Sequence, residues 1–241
     1  MTGIASKEQA FHLAMEFIHV GLQAPSDRLD AVREFYAHKL GLEQIGENGV
    51  RVGVSELSFQ EGGGRPFYHF AFLVPGDRFD AAKAWVAGRV TLLGGGDIDG
   101  VVFDFENWNA LAFYFHDPAG NIVELIAHRE LGQNGRNGSF DASELLGLSE
   151  VGLVGEQTKL ARGLAQLDLH LWDGELAPGR LAFFGERART FIVASQGRGW
   201  LPTGQPAEAH PVEATISGLR NTEAVVGPHR IKVSEAEVPD R

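Results

Sequence analysis

The feature that most constrains this chain is a unit that recurs along it: an alternating strand, an amphipathic helix, then about three further strands. Met15 to Gln23 reads MEFIHVGLQ and alternates as a strand should. PSDRLDAVREFYAHKLGL follows, with Ser26 or Asp27 as helix cap, Leu29, Val32, Tyr36 and Leu40 at helical spacing, and Gly41 as terminator. The unit restarts after EGGGRP: FYHFAFLVP is a strand, and GDRFDAAKAWVAGRV places Phe79, Ala82 and Val86 on one helix side. VVFDF and NALAFYF lead into the HDPAGN turn and the returning strand NIVELIAH. A third, weaker copy has LSEVGLVG as strand, EQTKLARGLAQLDLHLW as helix and RLAFFGE with ARTFIVAS as hairpin. GRGWLPTGQPAEAHP is a long irregular insert, and the strands within VEATISGLRNTEAVVGPHRIKV form a truncated fourth copy. The polar stretch HRELGQNGRNGSFDASE reads as a linker.

Composition bounds the chemistry. With 241 residues, 44% of them apolar, the chain buries a sizeable core. It has no cysteine, so any metal must be held by His, Asp or Glu. A formal charge of −11 repels phosphate backbones and anionic lipid, so neither nucleic acid nor membrane is an expected partner. No apolar run is long enough to span a bilayer, and MTGIASKEQAFHLAM lacks the signal-peptide pattern, so a cytosolic protein is expected. Catalytic-serine GxSxG and phosphate-loop motifs are missing from the sequence.

Residues two apart on a strand share a face. Ile18, Val20 and Leu22 then lie under the first helix, and Phe17, His19 and Gly21 look to the opposite, concave side. In the second copy Tyr68, Phe70 and Phe72 face the helix while Phe67, His69 and Ala71 face away, so His69 is the twin of His19. Ile122, Glu124 and Ile126 point into the same concavity, and Glu56, on one face with Val54 and Ser58, holds the matching place in the first copy. A carboxylate between inward isoleucines is costly to desolvate without a partner, and neither strand beside it carries Lys or Arg. A divalent cation meets that need. Two imidazoles and one or two carboxylates form a site suited to Fe(II), Mn, Ni, Co or Zn.

The unit order, with FIHVGL, FYHFAFLV and above all FHDPAGNIVELIAH, resembles the vicinal oxygen chelate superfamily, which includes glyoxalase I, extradiol dioxygenases, fosfomycin- and bleomycin-resistance proteins and epimerases. The resemblance covers about residues 15–130 well and 141–220 weakly. It implies an α+β fold of tandem βαβββ modules whose curved mixed sheets close around a cleft, here with a degenerate third and partial fourth module. It also implies metal ligands from the first and last strands of each module. Carried over by position these are His19, His69, Glu56 and Glu124, with VSELSF similar to the corresponding stretch of glyoxalase I, whose set is two His and two Glu. The third copy has Glu150 at the His19 position and Phe191 near the Glu124 position, so no metal site is expected there. The implied organisation is a metal domain over 1–130, a linker over 131–145, and a structural or dimerising domain over 146–241, in a possible homodimer.

Three functional classes fit this reading. A glyoxalase-type lyase or isomerase would need Glu56 inside, with Glu124 or Glu56 moving a proton. An extradiol-type Fe(II) dioxygenase would use His19, His69 and Glu124 and leave Glu56 outside. A metal-free binding protein would use the cleft alone. The expectation is a metal-dependent enzyme acting on a small molecule with adjacent oxygens, the first class favoured. His116 is a candidate acid/base or turn residue, and Tyr68, Tyr114 and Trp108 are packing or cleft-lining candidates.

Overall fold

The structure, a computed structural model, describes residues 15–235; the stretch read for a signal peptide lies almost wholly outside them. Four modules follow in chain order. The first has β1 (Phe17–Pro25), α1 (Leu29–Glu34), β2 (Gln44–Ile45), β3 (Gly49–Val52) and β4 (Ser55–Gly62). The second has β5 (His69–Leu73), α2 (Phe79–Ala87), β6 (Phe103–Phe105), β7 (Ala110–His116) and β8 (Ile122–His128). The third has β9 (Gly147–Val154), α3 (Gln157–Gln166), β10 (Leu171–Gly174), β11 (Ala182–Glu186) and β12 (Arg189–Ala194). The last opens with a small hairpin, β13 (Gly199–Trp200) and β14 (Gln205–Pro206), and continues with β15 (Glu213–Gly218), β16 (Thr222–Val226) and β17 (His229–Glu235).

The modules do not pair first with second. The first shares a seven-stranded sheet with the fourth, ordered β16-β17-β15-β1-β4-β3-β2, and the second shares an eight-stranded sheet with the third, ordered β10-β11-β12-β9-β5-β8-β7-β6. In both sheets the first strand of a module runs parallel to its own last strand and antiparallel to the first strand of its partner. This corrects the expected division into domains over 1–130 and 146–241, because each sheet draws strands from both ranges. The truncated fourth copy is what closes the first module's open edge.

One apolar core holds the helix-facing sides of both sheets. Tyr36 shows the arrangement: its ring stacks on Phe59 of the first sheet at 5.3 Å and meets Phe72 of the second edge-on at 6.2 Å. Phe17 likewise packs edge-on against Phe191 at 5.0 Å. Phe17 was expected on the concave side; a register irregularity between Phe17 and His19 turns it into the core and leaves Ile18 exposed. From Val20 onward the expected alternation holds. The faces turned away from the core therefore look in opposite directions from the two sheets.

Neither Ser26 nor Asp27 caps α1; Arg28 holds that position, and Phe35–Lys39 continue as a π-helical turn. The third helix stops at Gln166, and Asp168, at φ 61°, turns the chain so that Leu171 begins β10 instead. The 131–145 stretch is docked rather than free: Arg78 pairs with Glu144 through Nε and Nη2 at 2.8 and 3.0 Å and donates to the carbonyls of Arg136, Gly138 and Ser139. The HDPAGN motif is a staple between modules. Asp117 accepts from the backbone of Ala119 and Asn121, the Asn121 amide and the Tyr36 hydroxyl. Asn121 in turn accepts from the Tyr68 amide at 2.8 Å.

Candidate metal centre

On the outward face of the eight-stranded sheet, β5 is flanked by β8 and β9, and its Ala71 lies opposite Glu124 on one side and Glu150 on the other. Ala71 carries only a methyl group, so both carboxylates can lean over it toward His69, which shares the face two residues earlier. His69 Nε2 lies 3.5 Å from Glu124 and 4.0 Å from Glu150, and one donor atom from each of the three lies within 4.8 Å of the others. His69 Nδ1 is 3.1 Å from the Ile122 carbonyl, which fixes the proton on Nδ1 and aims the Nε2 lone pair at the carboxylates.

All three residues are at most 5% exposed, and burial dominates their acidity. It pushes Glu150 up to about 8, and pushes Glu124 well above the carboxylate range, with the Glu150 charge adding to the effect and a hydrogen bond from Tyr114 opposing it. Burial also lowers His69 to about 4, against the Ile122 bond. Two carboxylates and an imidazole held this close are thus protonated or neutral near pH 7 unless a cation replaces the protons. Bonds of about 2.1 Å place ligand atoms roughly 3 to 4.2 Å apart, so the two His69 separations suit a single ion.

The cluster forms the floor of a cavity of about 320 Å³ with aromatic walls: Phe105, Trp108, Phe183 and Trp200, with Tyr114 beside Glu124 and Arg198 at the side. Trp200, on β13 of the irregular insert, lies 5.0 Å from the His69 ring. It approaches so closely because residue 152 is glycine; a Cβ there would stand 3.0 Å from the indole. Trp108 meets Phe183 edge-on at 4.7 Å and donates its indole N–H to Asp173. Among the described residues, a cavity of about 350 Å³ between the end of α3 and β15–β17 has no comparable donor cluster. The smaller cavity is therefore the candidate site.

No family model and no curated protein sequence matches the chain. Among solved structures, glyoxalase I from Zea mays superposes on 92% of this chain and 92% of its own, with a TM-score of 0.51 and 11% identity. A candidate dioxygenase from Bacillus subtilis covers 91% of this chain and 85% of its own, with a TM-score of 0.53 and 13% identity. This chain has the vicinal oxygen chelate fold.

Within the vicinal oxygen chelate fold, the second and third modules bring four strand positions together: His69 on β5, Glu124 on β8, Glu150 on β9 and Thr190 on β12, the last in register with Glu150. Thr190 is 1% exposed and its hydroxyl has no hydrogen-bond partner among the described residues. A buried hydroxyl without a partner, in register with Glu150 on the same sheet, suits a site for a cation or a polar ligand.

Of the four expected ligands, His69 and Glu124 meet, and His19 and Glu56 do not join them. Those two are neighbours on the outward face of the other sheet, where His19 Nε2 contacts Ser58 Oγ at 2.8 Å and Glu56 pairs with Arg51 at 3.2 Å. Both are partly exposed, so water and Arg51 satisfy them. The correction follows from module pairing: the first module's concave face belongs to a different sheet. Glu150, which the sequence marked as a lost ligand, supplies the third donor instead, and Phe191 packs into the core while its neighbour Thr190 takes the inward place. His116 is exposed at the turn, and Tyr68 packs in the core with its hydroxyl on Gln23 and Pro211. Glu150 could have been found as a charged residue inside an apolar strand, the same signal that marked Glu124.

Proposed function

We propose that this chain is a metal-dependent enzyme centred on His69, Glu124 and Glu150, acting on a small molecule with adjacent oxygen atoms. The observation that carries it is three buried nitrogen and oxygen donors within 4.8 Å of one another, with no lysine or arginine among the described residues paired to them. A divalent ion held there would act as a Lewis acid on substrate oxygens. His69 presents Nε2 because Ile122 holds its other nitrogen. Tyr114 orients Glu124. Glu150, across Ala71 from Glu124, would be the carboxylate that takes a substrate proton and returns it. The aromatic walls exclude water from the exchange.

One imidazole and two carboxylates favour proton transfer, as in a lyase or isomerase, over the two-His-one-carboxylate set of Fe(II) oxygenases. Burial also supports a metal-free binding protein as second reading: it disfavours the charged form of all three groups, so the cavity tolerates standing without a cation. Elemental analysis and titration with Ni(II), Zn(II), Mn(II) and Fe(II) test the proposal, followed by assays with methylglyoxal–thiol adducts and with catechol. Binding of one ion per chain and turnover of the thiohemiacetal support it. Failure of every ion to bind leaves the second reading, and catechol cleavage with iron replaces proton transfer by oxygenation.

A further inference from the structure

The irregular insert contributes more than a cover. Arg198 precedes β13 by one residue and Trp200 follows two later, so both share a face of the hairpin, and both line the cavity above the cluster. The Arg198 guanidinium donates to the adjacent Gly199 carbonyl at 2.7 Å, and among the described residues no carboxylate lies within ion-pairing distance of it. Most other arginines of this acidic chain have such a partner, Arg78, Arg129, Arg180, Arg189, Arg220 and Arg230 among them. Asp173, the other charged group on the wall, is engaged by the Trp108 indole. With Asp173 engaged elsewhere and no carboxylate of the described residues in ion-pairing reach, Arg198 is a cation facing an aromatic cavity. A guanidinium in that position gains most from a planar anion that accepts two of its N–H groups.

We propose that the cavity takes a flat aromatic molecule bearing an anionic group, the ring against Trp108, Phe183 and Trp200 and the anion on Arg198. This narrows the substrate class of the enzyme proposed above and rests on that site. The 320 Å³ cavity is at the small end for ligand sites, which suits one or two fused rings.

Calorimetric titration of the full chain with 2-naphthoate and its neutral isostere 2-naphthamide tests the idea, with Mn(II) present and after chelation. Naphthoate should bind about tenfold tighter or more, the discrimination expected of a charge-assisted hydrogen bond in a partly dry site. Arg198→Gln should erase the preference while leaving naphthamide affinity unchanged, Arg198→Lys should keep part of it, and Trp200→Ala should weaken both ligands alike. Equal affinities in the unaltered protein, a preference that survives Arg198→Gln, or failure of both ligands to bind would each overturn the proposal. The Mn(II) isotherm is recorded separately. Lost ion binding with the naphthoate preference intact sinks the metal reading and spares this one; the reverse pattern does the opposite.

Discussion

Substituting Glu150→Gln should change how the metal-free protein responds to pH, and the sign follows from the buried cluster. Burial raises Glu150 from 4.5 to about 8, so between those values the folded protein holds a proton that the unfolded chain has released, and stability falls as pH rises. His69 and His128, both lowered from 6.5 to about 4, act oppositely, and their contribution grows from pH 4 to 6.5 and is complete above it. The window from pH 6.5 to 8 therefore isolates the carboxylates. One and a half pH units at about 1.4 kcal/mol each gives a loss of about 2 kcal/mol from Glu150, or about 4–8 °C in melting temperature for a chain of this size. Glu124 adds in the same direction, partly because the Glu150 charge raises it, so Glu150→Gln should flatten both contributions. Adding a divalent ion should reverse the slope: it binds the deprotonated cluster, and at a hundredfold excess over its dissociation constant it contributes about 2.7 kcal/mol. Differential scanning calorimetry of chelated and ion-loaded samples across the window measures all of this. A chelated protein whose melting temperature is constant from pH 6.5 to 8, or whose decline is as steep in Glu150→Gln, refutes the reasoning.

Other outcomes follow from the same structure. Glu124→Ala should abolish stoichiometric metal binding, and elemental analysis showing one ion per chain in that variant would remove Glu124 from the site. His19→Ala and Glu56→Ala sit on the other sheet, so both should keep full metal content and change stability by no more than about 0.5 kcal/mol in urea unfolding; metal loss in either would restore the four-ligand arrangement expected from sequence. Asp117→Ala leaves the Tyr36 hydroxyl, the Asn121 amide and two backbone N–H groups without their acceptor, and should cost about 2–4 kcal/mol in the same assay; a loss under about 1 kcal/mol would show that water replaces the carboxylate.

Much of this arrangement is legible in the chain itself because it is local. Alternation along FYHFAFL and NIVELIAH is enough to turn His69 and Glu124 away from the core, and the inward carboxylate announces a partner before any partner is known. The HDPAGN turn and the helix positions of Val32, Tyr36, Leu160 and Leu164 are local in the same way. Phe17 escaped because one irregular residue reverses every face before it, and helix capping by Ser26 or Asp27 failed because their backbone lies too far outside α1. What no local pattern encodes is which module lies beside which. Strand edges of the four modules are chemically alike, and the choice rests on the whole shared core, in which Tyr36 and Phe17 lock the sheets back to back. That choice sends His19 to the far side of the molecule, puts Glu150 across Ala71 from Glu124, and brings Arg198 and Trp200 over them. Residue types and the faces they occupy came from the order of amino acids; the company they keep was settled by packing between strands far apart along the chain, β5 with β9 and β1 with β15.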